Sequence, residues 1–497
     1  MDSEHPAPPI PAVTGSRRWA IASVMATMFM IAIEGTIVAT AMPTIVGDLG
    51  GFDLFSWVFT GYLLTQAVTI PIYGRLADLF GRKRVLFFGM GVFLAASLLC
   101  GLAWGMVPLI VFRMIQGVGA GAIMPVGMTL VADLYPPAER ARIQAYVSSV
   151  WIIAAIIAPV IGAFLIAHTG WAMVFWVNLP LGLIAWVMLA VSLHERVVRH
   201  ARRIDYLGSI LMVIGSGALM FVLVEASKLS LATVIVTGGC AVSIILVMLL
   251  YEFQTREPML PLGLWRDPVV VGGNLVNLLL GAMLMGVTAF LPPYVQTVMG
   301  RTALTAGFML TAMSASWPTG SAIAGQIMQR TSYRSTAIGG GLLLVLGNAL
   351  MVAIAPESSV MFVATAALIG GLGMGLANNS FLVAVQSTVA AEDRGVATSS
   401  VVFMRMVGQS IGTAVFGGIV NQQVASRIPG GGDIVDRMLA PGFRQTLPLD
   451  RLMPLLHEFA AALHNVFLID LVLAMALVAC CALLPPGLSP VRPARRR

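Results

Sequence analysis

Gly74-Arg75-Leu76-Ala77-Asp78-Leu79-Phe80-Gly81-Arg82-Lys83-Arg84 separates two apolar windows, 54–73 and 85–104. A bilayer core of roughly 30 Å takes about 20 residues at about 1.5 Å each, so either window is long enough to cross it. The break between them carries five charges and does not belong in hydrocarbon. The chain therefore turns back here, and the two windows form an antiparallel pair.

Working outward, the same length test predicts fourteen spans: 19–42, 54–73, 85–104, 107–131, 145–167, 171–193, 206–225, 229–251, 268–290, 305–327, 336–355, 360–382, 397–420 and 463–484. Of the 497 residues, 58% are hydrophobic and 10% charged, against roughly 25% charged in soluble domains. Mean hydropathy is +0.91. These values exclude a water-soluble protein and predict an all-α membrane protein.

A net charge of +7 would suggest nucleic acid in a soluble chain, but the basic residues sit in short loops. With the N-terminus inside, the inner segments hold 21 of the 29 Lys and Arg, the outer ones hold six, and Arg113 and Arg405 lie within spans. That asymmetry sets both termini in the cytoplasm, accounts for the charge and leaves no nucleic-acid partner. Cys100, Cys240, Cys480 and Cys481 all fall in apolar stretches without metal-ligand spacing, and are expected to be buried thiols. Residues 1–18 are a cytoplasmic tail ahead of a first span with no cleavage pattern. The spans divide into a bundle of six over 19–193, a basic linker 194–204, a central pair over 205–251 and a second bundle of six over 252–484. A long outer loop, 421–462, interrupts the second bundle, and 485–497 is a basic tail. Two six-helix bundles related by a repeat allow one half to rock against the other.

An acid within a span requires a partner, a wet cavity or a proton. Glu34, in the outer half of the first span, is the clearest case and the expected proton-handling residue. Arg113 lies at comparable depth in span four, with Gln116 on the same helical face. Its guanidinium stays charged and must find acceptors, either Glu34 or nearby carbonyls. Arg405 is its counterpart in the second half. Asp470, within about two turns of the outer surface, is a candidate second site with hydration open to it. Trp57, Tyr62, Gln116, Met283, Met285, Tyr294 and Arg405 are candidate cavity residues, since apolar and adaptable side chains suit promiscuous binding.

The Gly74–Arg84 stretch resembles the loop motif G-x-x-x-D-x-x-G-R-R/K-R of the major facilitator superfamily. Its physical content is a small residue for close helix approach, an acid that caps a facing helix, a turn glycine and a cationic cluster. The resemblance implies that Gly74, Asp78, Gly81, Arg82 and Arg84 latch the two bundles on the cytoplasmic side. Arg113-Met-Ile-Gln116-Gly117-Val-Gly119-Ala-Gly121 resembles the family's fourth-span motif, whose arginine is implicated in proton transfer. Glu34-Gly-Thr36-Ile-Val-Ala-Thr-Ala-Met-Pro43 and Trp171-Ala-Met-Val-Phe-Trp176-Val-Asn178-Leu-Pro180 are similar to segments of its fourteen-helix drug:proton antiporters. There the first motif carries aspartate, so glutamate lengthens the reach of the acid. Pro159 and Gly162 retain part of the fifth-span antiporter motif, with alanines where two glycines stand in the family. Gly325-Gln-Ile-Met-Gln-Arg330 occupies the place of the latch loop in the second half and lacks its acid.

The resemblance implies alternating access in a multi-pass protein of the cell membrane, the bacterial inner or plasma membrane. A proton gradient is the energy source, with no cofactor, metal or ATP, and no GxxxxGK[ST] occurs. The implied cargo is a lipophilic, often cationic compound moving outward against protons. The rival reading is a dedicated exporter of one metabolite, amino acid, lipid or siderophore. An enzyme is not expected, because no nucleophile, base or ligand cluster shares one depth.

Overall fold

A computed structural model of the chain describes residues 17–135, 137–193, 205–226, 229–255, 262–390, 394–428, 431–439 and 448–486. The N-terminal tail through residue 16, the linker 194–204 and residues 487–497 of the tail lie outside the described residues. The described chain is helical: α1 (Arg17–Leu49), α2 (Phe55–Phe80), α3 (Arg82–Gly101), α4 (Met106–Leu134), α5 (Pro137–His168), α6 (Ala172–Trp176), α7 (Asn178–Ser192), α8 (Tyr206–Glu225) and α9 (Leu231–Gln254) are followed by α10 (Pro268–Pro293), α11 (Ala303–Met328), α12 (Tyr333–Val352), α13 (Val360–Thr388), α14 (Arg394–Arg427), α15 (Gly431–Leu439) and α16 (Leu449–Cys480). Such helices satisfy their own backbone bonds, as a chain in lipid must.

Thirteen of the described helical segments are long and apolar enough to cross a membrane, with α6 and α7 forming one of them. The protein is thus integral and multi-pass. The tenth expected window, 305–327, is present as the 26-residue α11 but falls outside those thirteen. Thr305, Thr311, Ser314, Ser316, Pro318, Thr319 and Ser321 dilute its apolar character. The expected outer loop 421–462 is a second correction. α14 runs on to Arg427, α15 intervenes, and α16 starts at Leu449. Phe459, Ala462 and Leu463 are buried, and this packing holds the early turns of α16 in helix. A third concerns cysteine: Cys100 and Cys481 are buried, Cys480 is half-buried and Cys240 is exposed. Cys240 stands on α9, where Leu231, Ile235, Val236 and Leu250 are exposed as well. Apolar sequence there signals lipid contact, not protein interior.

The helix packing repeats itself. α1 packs on α5 and α7, α2 on α4, and α3 on α4; α10 packs on α14 and α16, α11 on α13, and α12 on α13. α8 and α9 pack on one another, and α8 also touches α2 and α14. One cause of the repeat is visible in the sequence. Gly117-Val-Gly119-Ala-Gly121 on α4 and Gly371-Leu-Gly373-Met-Gly375 on α13 share the pattern G-x-G-x-G. A Cβ at Gly117 would strike Thr65 and the Tyr62 carbonyl of α2, and one at Gly371 would strike Ser316 and the Met313 carbonyl of α11. Gly119 and Gly373 face α3 and α12 in the same way. Small residues let the backbones approach, which is what holds helices together where lipid competes for apolar contact.

Candidate functional site

The first helix group encloses a polar network built around a buried ion pair. Glu34 and Arg113 are buried, with 0% and 2% exposure, and form an ion pair through Oε1 and Nη1. Nη1 also donates to Gln116 Oε1 at 2.6 Å, and Nε donates to the Val58 carbonyl at 3.4 Å. The guanidinium therefore bonds both the acid and a neighbouring carbonyl. Its Cζ lies 4.1 Å from the Tyr62 ring centroid and 5.9 Å from that of Phe175. A cation on an aromatic face, desolvated, gains attraction without a second counter-ion. Asn178 Nδ2 donates to Glu34 Oε2 and to Ser97 Oγ, the latter at 3.1 Å. Gln116 Nε2 donates to Ser97 Oγ at 2.7 Å. Four elements, α1, α3, α4 and the start of α7, thus converge on one carboxylate.

Ser97 and Asn178 were not singled out for chemistry from sequence. The available signal was a polar side chain inside an apolar window. Gly162 packs α5 on α1, where a Cβ would stand 3.0 Å from Ile37 and 3.3 Å from Thr40 Oγ1. Pro159 stands within α5, and its side chain is outside the described residues.

Several candidate cavity residues are placed elsewhere. Met283, Met285 and Tyr294 are packed in buried clusters, and the Tyr294 hydroxyl donates to the Ile354 carbonyl at 3.2 Å. Aromatic and methionine side chains fill a helix core as readily as a cavity. Trp57 turns to α8, its Nε1 donating to Glu225 Oε1 at 3.0 Å. Tyr62 and Gln116 belong to the Arg113 network. Arg405 is half-buried, and its one described ring contact is Trp317, at 5.8 Å. Asp470 is fully buried, contrary to the expected hydration. The outward extension of α16 to Leu449 sets it 21 residues inside the helix and away from the surface.

The expected latch loop is the α2–α3 turn. Gly81, at φ +92°, makes that turn in the left-handed region that glycine tolerates. Lys83 Nζ donates to the carbonyls of Ala190, at 2.7 Å, and Leu193, so it caps the end of α7 within its own helix group. Arg82 is half-buried and Arg84 exposed. The Asp78 side chain lies outside the described residues. A Cβ at Gly74 would meet open space, so the close approach expected there is absent in this conformation. Gly325, at the corresponding end of α11, faces open space too.

Contacts joining the two groups gather at the opposite end. Phe55 of α2 lies 5.6 Å from Phe290 of α10, and Gln296 Nε2 donates to the Thr40 carbonyl at 3.1 Å. Asn421 Nδ2 donates to the Asp53 carbonyl at 2.6 Å. Asp436 of α15 accepts from the backbone N–H groups of Gly51 at 2.9 Å and Phe52 at 2.7 Å. Burial raises the Asp436 carboxyl above its ordinary range, those two bonds oppose the rise, and Asp53 and Asp433 add to it.

The family model described as Major Facilitator Superfamily matches residues 24–413. The chain is 34% identical over 404 residues to the multidrug transporter protein MdtP of Bacillus subtilis, covering 81% of this chain and 75% of that one. Among solved structures it is similar to a bacterial homolog of the human lysosomal transporter Spinster, with TM-score 0.68 at 15% identity, covering 94% of this chain and 96% of that one. It is also similar to an auto-inhibited POT family peptide transporter, with TM-score 0.66 at 12% identity, covering 96% and 98%. The repeated packing and these similarities agree, and the chain belongs to the Major Facilitator Superfamily, a family of membrane transporters and not of enzymes.

Proposed function

We propose that the protein is a proton-coupled exporter of lipophilic, often cationic compounds, working by alternating access in the plasma membrane with both termini in the cytoplasm. Fourteen spans, with α11 as the tenth, would form two six-helix halves around the α8–α9 pair, and the repeated packing supports that division. The α2–α3 turn and its basic residues would then face the cytoplasm, with Gly74, Asp78, Gly81, Arg82 and Arg84 serving as the latch when that side closes.

The observation that carries the reading is the buried Glu34–Arg113 pair. A proton on Glu34 removes the charge that Arg113 and Asn178 hold, so the four converging elements lose their common anchor. A change of packing between α1, α4 and α7 is thereby tied to gain or loss of one proton. The relative named a multidrug transporter supports the cargo class. Arg405 favours a second reading, a dedicated exporter of an anionic metabolite, because this cation inside a span has no carboxylate partner among the described residues.

The test is substrate-driven proton movement in proteoliposomes, wild type beside Glu34→Gln. Coupled transport is expected to disappear in the variant. Proton flux equal to wild type would remove Glu34 from the mechanism. Tetraphenylphosphonium and a lipophilic carboxylate as competing cargoes separate the two readings.

A further inference from the structure

The second helix group holds a buried acid of its own. Asp470 on α16 has 0% exposure, and neither carboxylate oxygen has a hydrogen-bond partner. Its carboxyl lies against α10 at Gly286. A Cβ added there would collide with Oδ2 and stand 2.7 Å from Cγ and 2.8 Å from Oδ1. The side chain missing at residue 286 is therefore the space that the carboxyl fills.

The location is equivalent to that of Glu34. Asp470 lies between α10 and α16, as Glu34 lies between α1 and α7, and these two interfaces correspond in the repeated packing. Glu34 is 17 residues into α1 and Gly286 is 18 residues into α10. At about 1.5 Å per residue, both lie roughly 26 Å from the basic end of their helices.

The surroundings differ. α10 brings no ionisable side chain. α12 brings Tyr333 and Arg334 in its first turn, at the basic end, and α14 brings Arg394, Arg405 and Arg427. α16 itself carries Asp450, Arg451, His457, Glu458 and His464 toward its outer half and Cys480 at its other end, Cys481 follows it, and Tyr294 follows α10. Tyr294 is hydrogen-bonded to the Ile354 carbonyl and His464 to the Val352 carbonyl, while Arg427 is ion-paired with Glu458 at 3.7 Å. Among the described residues none is hydrogen-bonded or ion-paired to Asp470. An ionised carboxylate so enclosed is the costliest arrangement a membrane interior offers, and the neutral acid avoids most of that cost.

We propose that Asp470, seated in the notch at Gly286, is a second proton-binding site, occupied in this conformation while Glu34 stands ionised against Arg113. The step is proton transfer alone: hydronium gives up one O–H bond and is left as water while an O–H bond forms on one carboxyl oxygen, with no change of oxidation state. This goes beyond the Glu34 reading, and its test needs neither a known cargo nor a coupled cycle.

Infrared spectroscopy of the full-length protein in lipid at neutral pH reads the protonated-carboxyl stretch directly. The band is expected in wild type and in Glu34→Gln, and its Asp470 component is expected to be lost in Asp470→Asn. Gly286→Ala should displace it, since the added methyl meets the carboxyl. A wild type without the band, or an Asp470→Asn variant that keeps all of it, overturns the proposal. Should Asp470→Asn fail to fold, Asp470→Glu takes its place: a shifted band supports the assignment, and an unshifted one overturns it. A failure of the Glu34 reading would appear in proton flux and leave this result standing.

Discussion

Glu34 and Asp470 occupy matching interfaces at matching depth, yet one carboxylate is saturated and the other is solitary. Glu34 is held by Arg113 and Asn178, with Gln116 and Ser97 completing the network. Asp470 fills the notch at Gly286, and neither of its oxygens has a hydrogen-bond partner among the described residues. Duplicated architecture therefore fixes where an acid can sit in each half, while the neighbours decide which protonation state it can tolerate.

The largest effect should come from unbalancing the saturated side. Arg113→Ala leaves Glu34 buried without its cation, which costs about 3–5 kcal/mol for a pair of this kind. A lowered melting temperature and loss of transport are expected, and Glu34→Gln in the same chain should restore much of the stability by removing the orphaned charge. Wild-type stability in Arg113→Ala would mean that the ion pair is not what distinguishes the two halves.

A middle-sized effect tests the duplication itself. Gly117→Val and Gly371→Val each force a side chain into a facing backbone, and overpacking of this sort costs about 1–3 kcal/mol. Thermal denaturation in detergent should show both variants destabilised to a similar degree. A strong loss at one position and none at the other would break the equivalence of α4 and α13.

The smallest effect concerns the contact that joins the two groups at the end opposite the α2–α3 turn. Burial raises the Asp436 carboxyl, so the closed contact binds a proton more tightly than an opened one. Its stability is gained as pH falls from the raised value toward the ordinary carboxylate range, and lost as pH rises through the raised value. Compared with Asp436→Asn, wild type should gain thermal stability on acidification. The reverse slope would show that the bonds from Gly51 and Phe52 outweigh burial.

Much of the fold was legible because lipid is a demanding solvent. Thirteen crossings, the basic α2–α3 turn and the unusual position of Glu34 all follow from what hydrocarbon excludes. α11 was legible by length but is diluted by hydroxyl side chains, and the outer stretch 421–462 hid its helices because short amphipathic turns lack a transmembrane signature. The cavity residues fared worst. Met283, Met285 and Tyr294 are packed in the core, since residue type is the same for a lining and a filling side chain.

Composition, the length of the apolar windows and charge placement were enough to establish a membrane-embedded helical protein and to mark Glu34, Arg113 and Asp470 as exceptions needing a cause, while the carrier reading came from the resemblance of its motifs. Only tertiary structure joined Glu34 to Asn178 across 144 positions of chain and set Asp470 against Gly286. The reason is physical: transfer into lipid is a cost each residue bears alone and so is written locally, whereas a partner or a notch exists only once distant helices have met.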